Sequence, residues 1–304
     1  MITGQSIYSK KKDKVAHAKF SILIPTWNNL DYLKLCIGSI RKNSFFEHQI
    51  IVHINEGKDG TFDWVNEQPD IDFCYSGTNI GVCYALNYCR TLADTSYLLY
   101  LNDDMYVCPG WDKELNDEIV AIGNPYFFLS STAIEPQKNN NCSIIKDYGT
   151  DIHNFQEEKL LREFEGLEMD NWSGSTWPPN IVHKDIWDMA GGYSTEFSPG
   201  MYSDPDFSMK LWNLGIRVFM GVGKSRVFHF GSKSVSRVKK NKGYYTFISK
   251  WGITSSTLTK LYLLRGEKYN GSLKEPVIPF ATRMKNRYKR INADFSRGSK
   301  RSVV

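Results

Sequence analysis

Four short apolar runs in the first third of this 304-residue chain each stop in a polar loop, and that repetition sets narrow limits on the fold. The run at 20–24 stops at Pro25-Thr26-Trp27-Asn28. The run at 49–54 enters Asn55-Glu56-Gly57-Lys58-Asp59-Gly60-Thr61. The run at 72–75 leads to a loop containing Asn79-Ile80-Gly81, and the run at 96–101 ends at Asn102-Asp103-Asp104. Helical patterns lie between them. Leu33, Ile37 and Ile40 recur at helical spacing behind Asp31 as a cap, and a second helix is expected over Val82–Leu92. Strands alternating with helices at this spacing predict an α/β fold with a mostly parallel, doubly wound sheet. All four loops then fall on the carboxyl edge, where such sheets bind ligands.

The adjacent carboxylates of Asp103 and Asp104 pose a specific question at that edge. Like charges side by side repel, so a cation held there, a divalent metal foremost, is one answer. A solvated turn is the other.

Past residue 110 the pattern loosens. A helix is expected over Trp111–Ile122 and a strand over 126–131, whereas 135–180 has little periodicity and reads as an excursion over the site. A short amphipathic helix is expected at 181–189, a further helix at 203–214, strands at 217–222 and 225–230, and a largely helical stretch at 243–269. The content of hydrophobic residues (41%) and charged residues (23%) is that of an ordinary globular protein, with enough apolar residues to bury a core. The first 19 residues are polar and lysine-rich and read as a flexible terminus without the apolar segment of a signal peptide. No apolar run approaches the roughly 20 residues that span a bilayer. Six cysteines without a CxxC pair read as reduced and buried, which places the expected compartment in the cytoplasm.

The net charge of +5 is unevenly spread. Residues 283–301 hold eight Lys or Arg against Asp294 alone, and 224–242 hold seven. The tail at 283–301 reads as a solvated end. Its functional alternative is peripheral attraction to an anionic membrane at the inner face, where a lipid-linked substrate would sit. Nucleic acid is a third reading of the charge and is not the expected partner.

Taken together and in order, the motifs resemble glycosyltransferase family 2, whose members are inverting enzymes of the GT-A fold. The resemblance rests on Pro25-Thr26-Trp27-Asn28, on the acidic Gly-rich loop 55–61, on Asn79-Ile80-Gly81 with Asn87 further along, and on Asn102-Asp103-Asp104 as a D-x-D counterpart. It continues through Gly191-Gly192-Tyr193, Ser203-Asp204-Pro205-Asp206 and Val227-Phe228-His229. It covers about 20–235 and departs from the pattern at Asn102 and Ser203, which stand where the family has acids, and at Asn55 or Glu56 in the second loop.

The resemblance implies a GT-A domain at 20–235, with a nucleotide-binding half at 20–110 and an acceptor-binding half at 111–235, followed by a helical extension with a basic tail at 236–304. It implies transfer of a sugar, of hexosyl type, from a nucleotide-diphosphate sugar (UDP expected) to a hydroxyl of a glycan or lipid-linked acceptor, as in polysaccharide biosynthesis. Mn²⁺ or Mg²⁺ would be held by Asp104, with His229 as a further ligand or a structural histidine. Pro25, Thr26, Trp27, Asn28, Glu56, Asp59, Asn79, Gly81, Asn102 and Asp103 would contact the donor. Trp177, Pro178, Asn180 and Gly192 would shape the sugar and acceptor pocket. The base that takes the acceptor proton would be Asp204 or Asp206. Asp206 also has a structural explanation as the third residue of a capping box opened by Ser203, and this favours Asp204. Two other readings stay open: a catalytically degenerate protein that only binds nucleotide-sugar or glycan, and a sugar nucleotidyltransferase. The second should carry a Gly- and Arg-bearing loop after the first strand, which Pro25-Thr26-Trp27-Asn28 lacks.

Overall fold

The computed structural model describes residues 7–12, 17–137, 141–231 and 242–298, and the backbone alone over 296–298. The first six residues, most of the basic stretch 224–242 and the end of the basic tail lie outside the described residues.

The chain alternates as expected through its first third. After β1 (Tyr8–Lys10) come β2 (Ser21–Trp27), α1 (Leu30–Asn43), β3 (Gln49–Asn55), α2 (Thr61–Glu67), β4 (Ile71–Ser76), α3 (Val82–Leu92) and β5 (Tyr97–Tyr100). Strands β4, β3, β2 and β5 are neighbours in that order and pair in parallel. Their side chains are buried on both faces, which is why they read as continuous apolar runs. Strand β1 pairs antiparallel with β4, so residues 8–10 are tied to the sheet edge rather than frayed. Helix α2 has no counterpart in the sequence expectation. Its seven residues are too few for a periodicity, and it is held by Phe62 packing on Phe73 and Tyr75.

The chain continues with β6 (Met105–Val107), α4 (Trp111–Ile122), β7 (Phe127–Glu135), β8 (Ser143–Ile145), α5 (Glu157–Glu163), β9 (Trp172–Ser173), β10 (Asn180–His183), α6 (Lys184–Ala190), α7 (Ser203–Asn213) and β11 (Val218–His229). The sheet extends past β5 in the order β10-β7-β11-β6, with β10 antiparallel to both neighbours and β7 parallel to β11. The expected helix at 181–189 therefore begins only at Lys184. Ile181 and Val182 are almost wholly buried between β5 and β7. Burying these two β-branched side chains in a pleated surface contributes roughly 1.5–3 kcal/mol each, which outweighs any helical preference. The two strands expected at 217–222 and 225–230 are one strand, β11, whose register against β7 shifts between Val222 and Arg226.

Helices α8 (Gly243–Trp251), α9 (Ser255–Thr257) with a π turn over Leu258–Tyr262, and α10 (Phe280–Gly298) complete the described chain. Phe247, Leu258, Tyr262 and Leu263 are buried in the same apolar cluster as Phe207, Trp212 and Phe219. The stretch after 242 thus shares a core with α7 and β11. All six cysteines are buried and free.

Candidate active site

Pro25 does not end β2, contrary to the sequence expectation. The strand runs on to Trp27, in register with His53, Ile54 and Asn55 of β3. A proline is tolerated because β2 pairs with β5 only through Leu23, so the donor that Pro25 lacks would have had no partner on that side. Where β5 stops and β2 continues, the sheet opens. A cavity of ≈ 1160 Å³ begins at this split and is lined there by Pro25, Thr26 and Trp27 and by Asn102, Asp103 and Asp104.

The sheet register assembles the charged end of this cavity. Met105 of β6 lies opposite His229 of β11, and Ile134 of β7 lies beside Phe228. Asp104, Glu135 and His229 therefore converge from three adjacent strands. His229 Nδ1 is 3.0 Å from Glu135 Oε1, and His229 Nε2 is 3.6 Å from Asp104 Oδ1. Burial alone would lower the His229 pKa, but the two carboxylates more than offset it and raise it to about 9. Asp103 is turned the other way, accepting from Thr26 Oγ1 at 2.6 Å. The adjacent carboxylates thus face different partners, one neutral and one cationic. Glu135 belongs to no motif legible in the sequence; only its place at the carboxyl end of β7 could have marked it.

A cation held at Asp104 would have to take the place of the proton on His229 Nε2. One oxygen and one imidazole nitrogen face each other, while Glu135 engages the other ring nitrogen, an arrangement that orients a histidine ligand. No group of three or more His, Cys, Asp or Glu is arranged as a metal site among the described residues. The protein would supply two ligands and leave the remaining positions to other oxygens.

Loops that carry the other candidates are fastened by side chains. Asn55 donates to the Thr26 carbonyl (3.2 Å) and accepts from Ile80 N–H (3.0 Å), binding the ends of β2 and β3 to the start of α3. Asn28 donates to Glu56 (3.2 Å) and accepts from Lys58 N–H (2.8 Å). Asp59 accepts from Leu30 N–H at 2.8 Å and from Thr61 Oγ1 at 2.5 Å, so the cap of α1 is Asp59 and not Asp31. Asn79 accepts from Gly81 N–H (2.9 Å). Gly81, at φ +81°, passes so close to the loop at 198–199 that a Cβ would lie 2.4 Å from Ser198 Oγ. Trp27, Asn55, Asn79 and Gly81 line the cavity, whereas Asn28, Glu56 and Asp59 do not.

The two candidate bases part company. Asp204, in the first turn of α7, lines the cavity, and Tyr193 Oη donates to it at 3.3 Å. Burial raises its pKa to about 7, with the Tyr193 hydrogen bond acting in the opposite sense. Asp206 is 0% exposed and off the cavity, engaged by Trp251 Nε1 (2.8 Å) and Lys250 Nζ (2.9 Å). The expected capping box does not form. The residue preceding α7 is Tyr202 at φ +72°, and Ser203 Oγ donates to the Gly200 carbonyl.

Tyr193 is itself positioned from α3. Asn87 donates to its carbonyl (2.8 Å) and accepts from its N–H (2.9 Å). Gly192, at φ +61°, is off the cavity but indispensable to this clasp, since a Cβ there would lie 2.4 Å from Asn87 Oδ1. Asn180 is buried in β10, opposite Tyr100, and is not part of the lining. Trp177 and Pro178 do line the cavity, and the Arg265 guanidinium stacks 3.9 Å over the Trp177 ring. Arg265, Thr259 and Lys260 complete that wall from a segment the sequence motifs leave unmarked.

Residues 21–171 match the family model described as "Glycosyl transferase family 2". That part of the chain belongs to glycosyl transferase family 2. Solved structures with the same fold include S. aureus TarS 1–349 in complex with UDP-GlcNAc, at 14% identity and a TM-score of 0.55 over 91% of this chain and 73% of that one. GalNAc-T7 with UDP, GalNAc and Mn²⁺ is similar at 15% identity and a TM-score of 0.55, over 76% of this chain and 48% of that one. No curated protein matches the chain. The glycosyl transferase segment supplies both carboxylates at the end of β5 and Glu135, while Asp204 and His229 lie beyond it.

Proposed function

We propose that this glycosyl transferase moves a sugar from a nucleotide-diphosphate sugar to a hydroxyl group of the acceptor, with inversion, at the cavity between the ends of β2 and β5. The observation that carries this reading is the lining of one cavity by two carboxylates gathered on an imidazole, Asp104 and Glu135 with His229, and by a proton-bearing carboxyl poised near neutrality, Asp204.

The loops at 25–27 and 79–81 and the Asn55 side chain offer a polar wall for the nucleoside. Asp104 and His229 would hold a divalent cation, Mn²⁺ in preference to Mg²⁺ because one donor is an imidazole. When bound, that cation neutralises charge developing on the departing diphosphate. Glu135 keeps the His229 ring oriented. Asp204, ionised, accepts the proton of the acceptor hydroxyl as that oxygen attacks the anomeric carbon, and Tyr193 stabilises the ionised form by donating to it. Trp177, backed by Arg265, offers a flat apolar face to a sugar ring. UDP is the nucleotide of the related solved structures and is the first to try here.

The test is calorimetric titration with UDP, GDP, dTDP and CMP, with and without Mn²⁺. One nucleotide should bind only with metal, and Asp104→Ala should lose that binding while keeping a cooperative unfolding transition, at a lower Tm because His229 loses a buried partner. A sugar nucleotide that binds but is never consumed by any hydroxyl acceptor would favour the degenerate binding protein. Absence of nucleotide binding with every metal would remove the proposal.

A further inference from the structure

Helix α10 has two opposite faces. Asn286 and Ala293 are buried, and Asn286 Oδ1 accepts from Thr257 Oγ1 (3.1 Å) and Thr254 N–H (3.4 Å). The other face exposes large apolar side chains: Phe280 (71%), Met284 (48%), Tyr288 (66%), Ile291 (46%) and Phe295 (75%). At 3.6 residues per turn these five fall within an arc of about 80°, centred opposite the packed face. A soluble surface helix places polar residues there. Arg283 and Arg287 flank the stripe on one side and Lys285 on the other, and Asp294 is the one acid from 280 to 295.

We propose that α10 is an interfacial helix that seats this protein on an anionic lipid surface. The stripe enters the boundary between headgroups and acyl chains while the flanking Arg and Lys meet lipid phosphates. Charge decides the occupant. A second copy meeting this face symmetrically would bring two basic rims together, and like charges would oppose the contact. An anionic bilayer complements both the apolar stripe and its rim. No helix among the described residues is long and apolar enough to cross a membrane, so the contact is lateral. The face of the docked helix turned away from the lipid would hold one wall of the cavity. Asn286 grips the turn at 254–257, and Ser255 and Ser256 of that turn line the cavity. The membrane assignment does not depend on the chemistry proposed for the cavity.

The experiment is co-sedimentation of the full chain with vesicles of phosphatidylcholine alone or mixed with phosphatidylglycerol. The wild type should pellet with the anionic vesicles and stay in solution with the neutral ones. The triple variant Phe280→Ser/Tyr288→Ser/Phe295→Ser should bind anionic vesicles at least roughly tenfold more weakly, as should Arg283→Gln/Lys285→Gln/Arg287→Gln. All six side chains are exposed, so both variants should keep the wild-type unfolding temperature. Failure of the wild type to bind anionic vesicles overturns the proposal. So does equal binding by the serine variant, which would leave only diffuse charge attraction, or equal binding to neutral vesicles. A wild-type dimer in sedimentation equilibrium that becomes monomeric in the serine variant, without vesicle binding, would assign the stripe to a second copy instead.

Discussion

Asp204 keeps a proton that the unfolded chain would release near pH 4. Its pKa is raised to about 7 by burial, so between these values the folded state binds more protons than the unfolded one, and stability falls as pH rises through that window. Above pH 7 the ionised, half-buried carboxylate is a standing cost. Asp204→Asn should therefore stabilise the protein at pH 8, on the order of 2–4 kcal/mol, and leave stability at pH 4 nearly unchanged, as read from denaturant melts at the two values. The same substitution should lower kcat by roughly 10²–10⁴ if Asp204 is the base. Tyr193→Phe removes a donor that favours the ionised form, so the acidic limb of kcat should move to higher pH. A purely structural tyrosine would leave that limb in place.

At the scale of elements, α7 is tied to α8 through Asp206, which is wholly buried and engaged by Trp251 and by the partly exposed Lys250. Burial pushes the Lys250 ammonium down, and the carboxylates of Asp206 and Glu196 more than offset it. Lys250→Met leaves Asp206 buried with one cation fewer and should cost about 1–3 kcal/mol, measured as a fall in Tm, because the Trp251 hydrogen bond remains. This pair also shows where sequence reasoning stops. Ser203, Asp204, Pro205 and Asp206 spell a plausible capping box, and only the distant Lys250 and Trp251 reveal that Asp206 faces inward. Strands β2 to β5 were legible because both faces are buried and their composition announces it. Strand β10 was not, because four residues flowing into a helix carry no period of their own and only the gap between β5 and β7 makes them a strand. Likewise Asp103 and Asp104 could be placed at the ligand edge from the run that precedes them, but Glu135 could not, since its role comes from the register of β7 against β11.

Across the whole molecule, the cavity takes its lining from Pro25 to Arg265. The segment after 242 is consequently part of the working unit. A chain ending at residue 242 would lose Phe247, Leu258, Tyr262 and Leu263 from the cluster around Phe207, Trp212 and Phe219. Large-to-small changes at single core positions of this kind cost about 2–5 kcal/mol, and losing four exceeds the stability of a typical domain. The truncated chain should show no cooperative unfolding transition by circular dichroism.

The position of β10 also has a consequence for synthesis. A ribosome delivers β5 and β7 well before the strand that joins them, since β5 ends at Tyr100 and β10 starts at Asn180. At about 5–20 residues per second, the flank of β5 waits roughly 4–16 s for its partner. During that interval a nascent chain displays open strand edges, the surface to which other chains add. The gap that β10 fills in the finished sheet is therefore a stage at which the growing chain is open to pairing with other chains.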